Sequence, residues 1–142
     1  DFSQDYYPPT ASAYLAASED VDVATGVISA QTATIQAGYI AESGATLLEF
    51  ATPDETIAAV RNGEADAVFA DYDYLAPVAE ASGGELMFVG ERVALGGGVG
   101  MGFRESDTEL RDKINAAVTS MKADGSLNAL LVKWFGEEAA QY

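Results

Sequence analysis

From Val21 to Val89 the chain alternates short apolar, strand-like runs with short helix-like runs, and no long loop separates them. That order restricts the fold class more than any other feature, because strand–helix–strand repeats with brief connections are the pattern of an α/β unit built on a largely parallel sheet. The expected strands are 21–30 split by Gly26, 45–50, 66–70 and 86–89, and Ser12 to Ala16 reads as a further strand continuing the opening segment.

Each helix has start and stop signals. Ile35 to Ser43 places Ile35, Tyr39 and Ile40 on one face, with Gly44 where a left-handed terminator belongs. Thr52-Pro53-Asp54-Glu55 combines an N-cap threonine, a proline at the first helical position and a glutamate placed to close a capping box, and Asn62-Gly63 ends that helix. A helix over 74–81 tolerates Pro77. Ser106 to Glu109 reads as a second capping box, opening a helix with Leu110, Ile114, Ala117, Val118 and Met121 on one face and Gly125 past its end. A last helix runs from Ser126 to Phe135, and the tail from Glu137 to Tyr142 is expected to fray. The opening Asp1 to Pro9, with its two prolines, fits an edge strand or extended connector.

Composition excludes more than it selects. With 7 basic against 23 acidic residues the net charge is −16, which argues against nucleic acid or an anionic membrane as a partner. Zero cysteines and zero histidines remove a thiol nucleophile, a disulfide framework and the commonest general base and metal ligand. No metal site or cofactor is expected. The glycine-rich stretch Gly96 to Phe103 lacks the Gly-Lys-Ser/Thr ending of a phosphate loop and reads instead as a strand that bends or lets backbones approach closely. No apolar run approaches the roughly 18 residues of a membrane span. The chain opens on Asp1 with no leader pattern and is expected to be a processed or excised segment.

The candidate site lies at the junction Gln31-Thr32-Ala33-Thr34-Ile35-Gln36, where an expected strand hands over to a helix. N–H groups of a first helical turn lack intrahelical acceptors, so such a turn can seat a carboxylate or phosphate, or Thr34 can be an ordinary N-cap. Asp71, just past the 66–70 strand, falls on the side where open α/β sheets bind ligands. It can equally cap the helix that follows.

In order, these parts resemble the later part of a type II periplasmic solute-binding protein of the polar amino acid and opine class, family 3. Phe2 to Tyr7 is similar to "FSxPYY" with Asp5 in place of proline, and 27–39 to "VGVQxGTTQxxY" with Ala33 for the glycine and Ile35 for the second threonine. Asn62 to Asp71 resembles "xNGRVDAVVxD", and Gly98 to Arg104 is similar to "GIAVRK". Asp107 to Gly136 follows "DTELxxxINxAxxxMKADGxLxxLxxKWFG" almost residue for residue.

The resemblance implies two α/β lobes joined by crossing strands. Residues 1–9 would be the first crossing, 10–93 a complete second lobe, 94–104 the returning strand and 105–142 helices of the first lobe, whose earlier half, with its arginine clamp and aromatic platform, is expected to be absent. Asp71 would pair with a ligand α-ammonium, Thr34 and the N–H of Ile35 would hold its α-carboxylate, and Gln36 would cap or face the ligand. Tyr6 and Tyr7 are expected to pack at the hinge, and Trp134 with Phe135 to be structural.

The function implied is delivery of an amino acid or related amine-bearing acid to the membrane permease of an ABC transporter, in the periplasm. The alternatives are the ligand-sensing domain of a receptor and, with little acid–base machinery to support it, a dehydratase-type enzyme. The short tail favours the transporter component. Leu110, Ile114, Val118, Leu127, Leu130, Leu131 and Trp134 are expected to form an exposed apolar surface that leads to self-association or recruits a partner fragment.

Overall fold

A computed structural model describes residues 1–137 and 139–142. The chain divides into two compact units, one of residues 10–95 and the other of 1–9 with 96–142.

Along the chain, β1 (Phe2–Tyr7) precedes the first unit named, which holds β2 (Ala11–Ala16), β3 (Val27–Gln31), α1 (Ile35–Ala41), β4 (Thr46–Phe50), α2 (Pro53–Arg61), β5 (Ala67–Asp71), α3 (Tyr72–Ala81) and β6 (Met87–Ala94). Its sheet has the order β4-β3-β5-β2-β6. β3 runs parallel to both β4 and β5, whereas β2 is antiparallel to β5 and β6. The sheet is therefore mixed, and Ser12 to Ala16 belongs to a near-central strand and not to a continuation of the opening segment.

Alternation along these strands divides the core into two faces, as period-2 geometry requires. Ala13, Leu15 and Val68 pack with Ile57 and Val60 of α2 and Leu75 of α3. Tyr14, Ala16, Ala67 and Phe69 pack on the other face with Ile40 of α1. Tyr14 stacks on Phe69 with ring centroids 4.4 Å apart. Each fully buried side chain of Leu or Phe size contributes about 1.5–3 kcal/mol. Leu15, Ile28, Ile40, Phe69 and Leu75 therefore hold the helices to both faces.

Several local expectations are corrected. Val21 to Val23 is not strand: Asp22 accepts from the N–H of Ala24 at 3.0 Å and the hydroxyl of Thr25 at 2.8 Å, a side-chain-closed turn that offers the backbone an alternative to pairing. The first helix stops at a right-handed Glu42, and Gly44 is not left-handed. A Cβ on Gly44 would lie 3.0 Å from the carbonyl oxygen of Ala24, so close approach explains the glycine. The 86–89 strand extends to Ala94 and contains a register shift opposite Ser12 and Tyr14, where Gly90 takes a φ of 65°.

In the second unit β1 pairs antiparallel with β7 (Val99–Gly102), and α4 (Thr108–Asp124) and α5 (Ser126–Phe135) meet at Gly125, whose φ is 78°. The capping box expected at Ser106 to Glu109 does not form. Asp107 takes the cap position without a side-chain cap, because its carboxylate accepts from Arg104 Nε at 2.8 Å.

Val118, Leu127 and Leu131 are buried against Tyr6, Tyr7, Ile114 and Met121, so only part of the expected apolar surface is open. Leu110 at 51%, Leu130 at 41% and Trp134 at 72% are exposed. The tail is anchored, not frayed. Tyr142 donates its hydroxyl to Asp5 at 2.8 Å, its backbone N–H and carbonyl both bond the Asn128 side chain, and Lys122 lies 3.8 Å above its ring. Glu138, within that tail, lies outside the described residues. No helix among the described residues is long and apolar enough to cross a membrane.

Candidate functional site

The carboxyl ends of β3 and β5 lie side by side, and the connections leaving β3 and β4 carry α1 and α2 to opposite faces of the sheet. This is the reversal point at which open α/β sheets leave a crevice. The crevice holds a recess of about 240 Å³ lined by Gln31, Thr34, Gln36, Pro53, Thr56, Phe69, Ala70, Asp71 and Tyr74. It is smaller than the roughly 300 Å³ at which complete small-molecule pockets begin.

The β3–α1 turn is drawn in by Thr32, whose N–H donates to the carbonyl of Phe50 at 2.9 Å and prolongs the β3–β4 pairing. Ala33 then takes a φ of 60°, the only non-glycine residue with positive φ among the described residues. This is the position where the family pattern has glycine, and the backbone conformation explains why. Thr34 caps α1, accepting from the N–H of Ala37 at 3.2 Å and donating to the carbonyl of Gln31 at 2.7 Å. Its single hydroxyl proton is thus engaged, and a bound carboxylate would have to draw it away from Gln31. The N–H groups of Ile35 and Gln36 have no acceptor within the helix. Ile35 itself is 56% exposed.

Asp71 is exposed at the end of β5. It occupies the position before α3 but makes no side-chain cap bond, so capping does not account for it. Its Oδ1 instead accepts from Gln36 Nε2 at 2.8 Å, while the same amide nitrogen donates to Ser12 Oγ at 3.1 Å. Gln36 is 6% exposed and Ser12 1%. The fold brings Gln36 and Asp71 into contact and sets Thr34 in the same recess; Ile35 is not among the residues that line it.

Tyr74 forms the outer wall, 3.5 Å from Asp54 through its hydroxyl, and burial, with Asp54 behind it, pushes its phenol above the ordinary range. Gln31 donates to the carbonyl of Ala51 at 3.1 Å. Sequence reasoning passed over Ser12, Tyr74 and Pro53. The one available signal for Ser12 was a hydroxyl inside an otherwise apolar strand. No group of three or more carboxylates among the described residues is arranged to hold a metal ion.

The family of bacterial extracellular solute-binding proteins, family 3, matches residues 1–137. The chain belongs to this family. An arginine-binding periplasmic protein of Mannheimia haemolytica is 32% identical over 142 aligned residues, covering 95% of the chain and 59% of that relative. The crystal structure of a periplasmic His/Glu/Gln/Arg/opine family-binding protein from Silicibacter pomeroyi, in complex with lysine, is 71% identical. Its TM-score is 0.86, with coverage of 100% of the chain and 65% of that protein. An ancestral arginine-binding protein bound to glutamine is 26% identical with a TM-score of 0.74, over 96% of the chain and 64% of its own length. The family-3 chain thus spans about three-fifths of the length of these relatives, and its fold is that of type II periplasmic-binding proteins.

Proposed function

We propose that the chain is part of a periplasmic protein that binds an amino acid, with basic amino acids and opines foremost, and delivers it to the permease of an ABC transporter. It acts by binding, not by catalysis. The observation that carries this reading is the carboxylate of Asp71, standing at the mouth of the β3–β5 crevice with one oxygen held by a buried amide and no cap to serve. The names of the relatives support the ligand class, since they include arginine-binding proteins and a complex with lysine.

In this reading Asp71 Oδ2 meets the ligand α-ammonium in a charge-assisted bond, stronger than a neutral one. The N–H of Ile35 and the Thr34 hydroxyl take the α-carboxylate, Thr34 by turning its proton from Gln31. Gln36 reaches the ligand through Asp71. Residues 10–93 are assigned to one lobe of the family's architecture and 105–142 to helices of the other.

Calorimetric titration with a panel of amino acids and opines tests the assignment. Asp71→Ala should cost about 2–5 kcal/mol for every ligand bound, the range for removing one partner of a desolvated charged pair. Unchanged affinity for all of them would show that Asp71 does not meet the ammonium.

A further inference from the structure

We infer that Ser12 is a positioning residue for ligand binding, acting through Gln36 to set the orientation of Asp71. The inference rests on the reading of Asp71 as the ammonium partner. In the antiparallel β2–β5 pairing Ser12 stands directly opposite Asp71. Directly opposed residues place their side chains on the same face of a sheet, with Cβ atoms about 4.5–5.5 Å apart. That face is the one covered by α1, since Tyr14 and Phe69, the next residues on each strand with the same orientation, pack there with Ile40. The side chain of Gln36 descends from α1 between the two.

The amide nitrogen of Gln36 has two protons, and both are used. One goes to Ser12 Oγ at 3.1 Å and the other to Asp71 Oδ1 at 2.8 Å. An anionic carboxylate can only accept, so it selects the amide nitrogen, not the amide oxygen, as the atom facing it. Ser12 then determines where that nitrogen sits, because its own backbone is held in the sheet between β5 and β6. The result is a rigid relay from a strand hydroxyl through a helix amide to a strand carboxylate, in which Oδ1 is occupied and Oδ2 is left for a cationic group. Without Ser12 the buried amide has one proton unmatched and is free to turn toward another acceptor. Asp71 then loses the contact that fixes its rotamer before ligand arrives.

The test is a double-mutant cycle in the protein that carries this chain, with L-lysine and L-arginine as probes. Ser12→Ala removes one atom and no charge, and an unchanged unfolding midpoint establishes that the fold is kept. The expected result is a loss of affinity of about threefold to tenfold, the worth of one neutral hydrogen bond. The same substitution should have no further effect in an Asp71→Asn background. An equal loss in both backgrounds would make Ser12 a merely structural residue and overturn the inference.

A second measurement needs no ligand. The two side-chain amide protons of Gln36 should resonate apart, and Ser12→Ala should move one of them by NMR; no movement would also overturn the relay. If neither probe, nor any other amino acid, binds the unaltered protein, the functional reading fails, and the amide resonances still decide whether Ser12 orients Gln36.

Discussion

Replacing Ala33 by glycine should stabilise the α/β unit. Ala33 holds a φ of 60°, where the Cβ of an L-residue meets the following carbonyl oxygen. This costs about 1–2 kcal/mol. Glycine removes that clash but loses more backbone freedom on folding, an opposing effect of about 0.5–1 kcal/mol. Because Ala33 is exposed, no packing is lost with its methyl group. The difference of the mid-range values is a net gain of about 0.7 kcal/mol, and for a domain of 60–100 residues that corresponds to an increase of about 3–6 °C in melting temperature. Ala33→Val should act in the opposite direction and by more, since a β-branched side chain is still less compatible with positive φ.

Hydrogen exchange of the Val68 and Phe69 amides isolates the answer, because these residues lie in the core of the unit that contains the turn and exchange through its global opening. If Ala33→Gly leaves these amides unchanged or weakens their protection, the strain at the turn is no larger than the cost of the backbone freedom that glycine loses, and the explanation of the glycine in the family pattern fails.

Further outcomes concern the second unit and the caps. Tyr142→Phe should destabilise the unit of residues 1–9 and 96–142 by about 1 kcal/mol through the hydrogen bond lost to Asp5, read from Trp134 fluorescence during urea unfolding. The bond with Tyr142, helped by Lys122, holds the Asp5 carboxyl below its ordinary value of 3.8 against a smaller opposing effect of burial. Its contribution is therefore complete above 3.8 and lost as pH falls through the lower folded value. Burial and Asp5 hold the Tyr142 phenol above its ordinary 10.0, so that contribution is complete below 10 and lost as pH rises beyond it. Tyr142→Phe should remove this alkaline limb of a stability–pH curve and shrink the acid one. Thr52→Ala should cost about 1 kcal/mol because its capping box is formed, whereas Asp107→Ala should cost under about 0.5 kcal/mol because its carboxylate makes no cap bond and serves a local ion pair with the exposed Arg104 and a long contact from the Ser106 hydroxyl; chemical denaturation distinguishes them. The exposure of Leu110, Leu130 and Trp134 should make the chain associate as its concentration rises, and light scattering that finds only monomer would refute this.

The elements most legible in sequence were those whose signals are local. Thr52 to Arg61 could be read almost to the residue, because cap, proline and capping glutamate all sit within one turn of each other. Asp107 shows the limit of that reasoning: a cap-competent carboxylate was diverted by Arg104 three residues before it, a competition that residue types alone do not rank. The place of β2 inside the sheet, between β5 and β6, was not legible either, since its partners lie far along the chain and pairing leaves no short-range mark.

The candidate site divides the same way. Thr34 and Asp71 were visible as the ends of periodic runs, but the contact between Gln36 and Asp71, and Ser12 beneath it, depend on which strand is inserted beside β5. The anchored tail was misread for a related reason. Tyr142 is polar, terminal and beyond the helix that ends at Phe135, yet it finds Asp5, Lys122 and Asn128 across the unit.

The position of β2 also governs the order in which this unit can assemble. β3, α1, β4, α2 and β5 follow one another as neighbours and can pair as soon as each is made. β2 is made before all of them, yet its first partner, β5, arrives about fifty residues later, and β6 later still. Until then β2 itself is an unpaired, apolar strand with two open edges, the kind of edge that recruits other chains. Closing that long loop is expected to slow folding, so substitutions that weaken β2 should appear first as aggregation during refolding, before any loss of stability in the finished protein.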